Sequence, residues 1–303
     1  MNPLLIAKNL HFFYTQQCII KKLSIKLNRG DIVGLLGQNG AGKSTCLQML
    51  SGNLYPAEGE ISIDGSDLLK EPEAAKQKIG YLPDEPPLYN DLWVDEYLTY
   101  AARLHRIPSS VITTAVNRVK KQCELNSCGR KLIGQLSKGF RQRIGIAQAL
   151  IHQPDLIILD EPTIGLDPVQ MRELRDLISM LGSQHGIILS THILPEVESI
   201  CNRVDILHQG EILHSEQLNQ QQGDQLTIQL AEPPAFEALS KLPSIKSAIS
   251  LGERRFLLQP ANDATNQEIA AQLIPWGLQV LTPQQKSLEQ RFIQLTSGEV
   301  QQR

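Results

Sequence analysis

Three groups of residues in this sequence have the types and the spacing that chemistry on a polyphosphate needs. Gly37-Gln38-Asn39-Gly40-Ala41-Gly42-Lys43-Ser44 follows the apolar run Ile32–Leu36 and opens a helical pattern from Lys43 to Leu50. Glycines let successive backbone N–H groups turn toward phosphate oxygens at a helix N-terminus. Lys43 brings a compact positive charge to β- and γ-phosphates, and the Ser44 hydroxyl can ligate Mg²⁺. Gly37, Asn39, Gly40, Ala41, Gly42, Lys43, Ser44 and Thr45 are therefore the candidate nucleotide contacts. Asp160 and Glu161 end a second apolar run, Leu156–Leu159. Strand C-termini of a parallel sheet share one ligand crevice, so both acids are expected to face the phosphates. Asp160 suits a Mg²⁺ held through water, and Glu161 suits the orienting and deprotonation of an attacking water. The third group is Ser190-Thr191-His192, after the run Ile187–Leu189. A lone histidine after a strand is more often structural; the place of His192 downstream of the acid pair is what makes it a candidate.

The elements that must hold these residues alternate in kind. Short runs of four or five continuous apolar residues suit strands covered on both faces. Strands alternating with helices imply an α/β domain built on a mostly parallel sheet. Trp93–Leu104 and residues 111–125 carry apolar side chains at helical spacing, which predicts a helical insertion over about residues 85–145. Residues 217–224 are polar and Gln-rich, as a linker would be. Beyond it, a strand at 226–230, a helix at Pro234–Leu242, a hairpin across Lys246–Gln259, a helix at Asn266–Ile274 and a strand at Leu278–Leu281 give the order β-α-β-β-α-β. That order is the ferredoxin-like unit. The expected domains are residues 1–222 and a small α+β accessory domain over 223–303, packed on the larger body or on its twin.

Composition narrows the class. The 303 residues are 41% hydrophobic and 20% charged, enough apolar material for a large core. The formal charge of -3 removes the electrostatic argument for a nucleic-acid partner. No run of about 18 apolar residues could cross a membrane, and the first residues lack a signal-peptide pattern. The 5 cysteines show no CxxC spacing, so neither a disulfide framework nor a zinc site is expected. The reading is a soluble, reduced, cytosolic chain.

Leu136-Ser137-Lys138-Gly139-Phe140-Arg141-Gln142-Arg143 narrows it further. The stretch resembles the LSGGQ signature of the ATP-binding subunits of ABC transporters, and the order of phosphate loop, signature, acid pair and histidine is similar to theirs. The resemblance covers about residues 4–215. Lys138 stands where that family has its second signature residue, Gly, and Phe140-Arg141-Gln142-Arg143 resembles the ABC-2-type exporter branch, which includes gliding-motility-associated ATPases. The resemblance implies a P-loop NTPase fold, ATP and Mg²⁺ as ligands, and a site completed when two copies close face to face. It also implies the residue roles. Ser137, Lys138 and Gly139 would cap the ATP of the opposite copy. Asp167, in Gly165-Leu166-Asp167-Pro168, would belong to the D-loop, and His192 would reach the γ-phosphate. Tyr14 would stack on adenine; an aromatic beside Phe12 and Phe13 also has a reading as core. Asp84, in Ile79-Gly80-Tyr81-Leu82-Pro83-Asp84-Glu85, replaces the usual Gln after Leu-Pro. Asp84 keeps an oxygen for Mg²⁺, joining Ser44 and Asp160, but cannot donate a hydrogen bond when ionised. Glu85 is the neighbouring alternative.

The partners implied are a second copy, or a second ATPase subunit, and polytopic membrane permease subunits that hold the chain at the cytoplasmic face. Pro86–Trp93 offers aromatic and apolar groups for such a partner or, equally, for the helical insertion's own core. Two other functions compete. A repair-type ABC ATPase needs a long coiled coil between loop and signature, and a translation-type one needs two cassettes; this chain has neither. A regulatory pseudo-ATPase would not need Ser44, Glu161 and His192 together.

Overall fold

The computed structural model describes residues 3–218, 225–232, 238–239, 241–252, 254–261, 264–284 and 288–296. The chain divides into two compact units, residues 1–219 and 220–303. The first is built on a six-stranded sheet in the order β10-β9-β3-β8-β7-β6. Its strands are β3 (Ile32–Leu36), β6 (Ile79–Leu82), β7 (Leu156–Asp160), β8 (Gly186–Thr191), β9 (Arg203–His208) and β10 (Glu211–Gln217). All neighbours are parallel except β10, which returns antiparallel on β9. Every residue of β3, β7 and β8 is buried, as continuous apolar runs require when helices cover both faces.

A second sheet was not expected from the sequence. The strands β1 (Leu5–Tyr14), β2 (Gln17–Leu27), β4 (Glu58–Ile63) and β5 (Ser66–Asp67) form an antiparallel sheet in the order β2-β1-β4-β5. Its inner face shares one core with α1 (Lys43–Leu50) and the central strands: Leu5, Leu23, Ile25 and Ile61 pack with Cys46, Leu47, Leu50, Ile158 and Ile188. After the short helix α2 (Pro72–Lys76), the helical insertion holds α3 (Val94–Leu104), α4 (Ile112–Gln122) and α5 (Lys138–Leu150), with α5 packed on β6. Two further helices, α6 (Pro168–Gly182) and α7 (Leu194–Ile200), follow β7 and β8.

The second unit has β11 (Gln225–Leu230), β12 (Ile245–Gly252), β13 (Arg255–Pro260) and β14 (Leu278–Gln284), antiparallel in the order β12-β13-β11-β14. In chain order that is 2-3-1-4, the strand arrangement of a ferredoxin-like sheet. A helix at Asn266–Leu273, started by the reciprocal Thr265/Glu268 cap, covers one face through Ile269 and Leu273. Of the helix expected at Pro234–Leu242, residues 234–237 and 240 lie outside the described residues; Ala238–Leu239 is helical and Leu239 joins the core. The last described helix is Leu288–Thr296, with Leu288 buried, Phe292 and Leu295 half-buried and Ile293 exposed.

Ile158 lies at the centre of β7 with no exposed surface. Ile158→Ala should cost about 2–5 kcal/mol of stability, the range for opening a cavity in a packed core. Urea denaturation of the two chains measures this.

Candidate active site

The loop Gly37–Gly42 leaves the end of β3 and enters α1. Gly42 precedes the helix at φ 103°, a left-handed conformation that side chains disfavour. Gly37 has no room for one, since a Cβ there would lie 2.6 Å from the Leu207 carbonyl of β9. Lys43 is buried, and its ammonium donates to the carbonyls of Gly37 at 2.8 Å and Gln38 at 3.3 Å. The same nitrogen pairs with Glu161 Oε1 at 3.2 Å. Gln38, Asn39, Gly40 and Ser44 are exposed at the loop's mouth, and Thr45 is half-buried behind them.

The acids arrive from β7. Asp160 ends the strand and Glu161 follows it, both buried. In-register pairing sets Asp160 beside Ser190 of β8. The Ser190 hydroxyl donates to Asp160 Oδ1 at 2.6 Å and accepts the Glu161 N–H at 2.9 Å. Glu161 sits at φ 46°, a region rare for a residue with a side chain; the bond to Ser190 helps to hold it there. Its second oxygen, Oε2, lies 2.9 Å from His192 Nδ1. An ionised carboxylate only accepts, so Nδ1 carries the proton of that contact. Burial pushes the Asp160 carboxyl above the usual carboxylate range, and the charges of Asp84 and Glu161 add to the rise. The hydroxyls of Ser190 and Ser44 oppose it. A divalent cation would reverse that direction, and carboxylates, a hydroxyl and substrate phosphates are the hard-oxygen set that Mg²⁺ takes. The donor set fits Mg²⁺.

Asp84, exposed on the segment after β6, reaches this cluster through its charge on Asp160. Lys43, Ser44, Asp84, Asp160, Glu161 and His192 thus converge at one edge of the parallel sheet. The signature residues do not join them. Ser137 caps α5, accepting the Phe140 N–H at 3.4 Å; Ser137 and Lys138 are exposed, and Gly139 lies against the Gln170 side chain. Among the described residues no hydrogen bond or ion pair links them to the phosphate loop. Asp167 caps α6 by accepting the Gln170 N–H at 2.9 Å. Tyr14, 49% exposed at the end of β1, meets Phe12 edge to face at 4.9 Å; it is surface rather than core.

Comparison with known proteins places this arrangement. The family model described as "ABC transporter" matches residues 20–164. The ABC transporter ATP-binding protein YdbJ of Bacillus subtilis (strain 168), itself described as uncharacterized, is 33% identical over 98% of this chain and 96% of its own length. The chain belongs to the ATP-binding subunits of ABC transporters. The bacitracin transport ATP-binding protein BcrA of Bacillus licheniformis is 38% identical over 70% of this chain and 69% of its own. The solved structure of cbiO1 from Clostridium perfringens, described as part of the ABC transporter complex cbiONQ, superposes with a TM-score of 0.66 at 27% identity. It covers 72% of this chain and 90% of that one. A second model, described as "AAA domain, putative AbiEii toxin, Type IV TA system", matches residues 132–197, the stretch that holds α5, β7 and β8. As a member of the ABC family the chain is an ATPase with a P-loop fold.

Sequence reasoning missed Ser190 as a partner of both acids, and it missed Thr163 and Glu196. The Thr163 hydroxyl bonds Glu196 Oε1 and the Thr191 hydroxyl donates to Glu196 Oε2 at 2.8 Å. Only the Ser and Thr preceding His192 hinted at this in the sequence.

Lys43→Ala should abolish MgATP binding in isothermal titration, because it removes the charge that faces the phosphates. Far-UV circular dichroism should show the chain still folded; unchanged MgATP affinity would contradict the role given to the loop.

Proposed function

We propose that this ABC ATPase drives export through separate membrane subunits, with each of its two ATP sites completed by a second copy. The observation that carries the reading is the pairing of a closed cluster, Lys43, Asp160, Glu161 and His192, with a signature helix whose Ser137 is exposed and unconnected to that cluster. A helix N-terminus is a ready anion site, and here its anion would be the ATP of the opposing copy, contacted by Ser137, Lys138 and Gly139, with Asp167 at the same border. Pairing with a second ATPase subunit would satisfy the same geometry.

Hydrolysis follows from the two oxygens of Glu161. Oε1 pairs with Lys43 and Oε2 with His192. When the β- and γ-phosphates take the Lys43 ammonium, Oε1 is left to accept a proton from the attacking water. His192 keeps Oε2 oriented and would reach the γ-phosphate. The loop residues Gly37 to Thr45 would cradle the phosphates and Tyr14 would stack on adenine. Mg²⁺, held by Ser44, Asp160 and Asp84, would supply charge neutralisation between the phosphates.

Coupling to membrane subunits is supported by two relatives: cbiO1 is described as part of a transporter complex and BcrA as a bacitracin transport protein. Among the described residues no helix is long and apolar enough to cross a membrane. The resemblance of Phe140-Arg141-Gln142-Arg143 to the ABC-2-type branch supports export as the direction, at the cytoplasmic face. Residues 223–303 would serve assembly rather than chemistry.

Glu161→Gln should keep ATP binding and lower hydrolysis by about 10² or more, the scale of general-base catalysis; near-normal turnover would remove the base from the scheme. Ser137→Arg should leave the binding of ATP to a single chain intact and block dimer closure. Light scattering that still showed an ATP-dependent dimer would contradict action across the interface. A chain ended after Gln222 should bind ATP and retain measurable hydrolysis while losing dimer stability or partner assembly; a folded truncation without nucleotide binding would place the second unit in the site.

A further inference from the structure

Glu196 is a buried carboxylate that the catalytic scheme does not use. It lies in the first turn of α7, 2% exposed, and among the described residues no lysine, arginine or histidine pairs with it. Burying an unpaired charge is costly, and such a group persists only where hydrogen bonds replace its water. Here two hydroxyls do so, one on each oxygen. Thr163 binds Oε1 and Thr191 binds Oε2 at 2.8 Å. Thr191 Oγ1 also accepts the Ile193 N–H at 3.0 Å, which fixes its hydroxyl proton toward the carboxylate.

The positions of those two threonines give the carboxylate its meaning. Thr163 stands two residues after Glu161, and Thr191 stands one residue before His192. Glu196 therefore closes a ring that runs from Glu161 through Thr163, the Glu196 carboxylate, Thr191 and His192, back to Glu161 by the 2.9 Å contact. Without it, the ties between the two strand ends among the described residues are the Ser190 bonds, the strand pairing and the His192–Glu161 contact itself, and none of them reaches Thr163 in the turn beyond Glu161. The turn after Glu161 is the part that most needs support, since Glu161 itself is held at φ 46°. Hydrogen bonds to an ionised acceptor are shorter and about twice as strong as neutral ones, so a carboxylate at this corner stiffens the turn more than an amide would.

We propose that Glu196 is a positioning residue that holds the Glu161–His192 pair in register through Thr163 and Thr191, so that it governs turnover and not ATP binding. The proposal rests on the roles given above to Glu161 and His192.

The test is steady-state hydrolysis by the full chain, with MgATP affinity measured alongside. Glu196→Ala should lower kcat about tenfold, the cost of a lost hydrogen bond to a charged group and of a misplaced catalytic group, and leave KM within about twofold. Glu196→Gln keeps one acceptor oxygen and should restore part of that loss. Thr163→Val removes one donor with little change in shape and should give the same split between kcat and KM, which keeps the test open if Glu196→Ala does not fold. An effect confined to KM, a kcat at the wild-type level in the folded variants, or a loss that Glu196→Gln does not partly restore overturns the proposal. Glu161→Gln serves as the reference. If it loses turnover while Glu196→Ala and Thr163→Val do not, the positioning role fails and the site reading stands. If none of them loses turnover, the site reading itself fails.

Discussion

The parallel pairing of β3, β8 and β7 is the constraint on which the site depends. Leu36 pairs with Thr191 and Asp160 with Ser190, so three strands stop at one level. Whatever follows each strand in the sequence is thereby brought to one edge: the phosphate loop after β3, Glu161 after β7 and His192 after β8. The edge gathers charge in a buried place, which is costly unless each charge is paired. Lys43 meets Glu161, Ser190 meets Asp160, and His192 meets the second oxygen of Glu161. The apolar strands supply the burial, and the polar strand ends use it.

The same economy of pairing fixes the signature helix. Arg143 on α5 is buried and donates to Glu124 at 2.6 Å and Glu173 at 2.9 Å, joining the turn after α4 to α6. Since Asp167 begins α6 and Ser137 begins α5, these bonds hold the two helix N-termini in one arrangement. Lys138 replaces a glycine of the related family, and its ammonium lies over Gly165, where an added Cβ would come within 2.6 Å of it. A long side chain at this signature position therefore touches the turn that follows Glu161, a contact a glycine could not make.

What the sequence disclosed, and what it hid, follows from the range of the interactions. The phosphate loop was legible because its chemistry is local: strand, glycine turn, lysine and helix are contiguous. β3, β7 and β8 were legible because burial on both faces leaves unbroken apolar runs. The antiparallel sheet was not, because β1 and β2 are bulged. Asn9 at φ 49° and Lys22 at φ 47° interrupt the alternation that marks a half-buried strand. Asp84 was legible as a candidate by resemblance, yet its effect on Asp160 depends on tertiary placement. Glu196 was invisible for the same reason, since it works on Thr163, 33 residues away along the chain. By sequence Tyr14 fits a stacking surface and a core alike, and its exposure beside Phe12 separates the two.

The proposed composite site has each chain carrying half of each of two sites. The most direct measurement is ATP turnover per chain as chain concentration is raised, with light scattering at each concentration to count monomer and dimer. If the site is shared between two copies, turnover per chain climbs over the range where the ATP-bound chain dimerises and levels once dimer predominates. A turnover per chain that is already at its full value at concentrations where light scattering counts only monomer would contradict it.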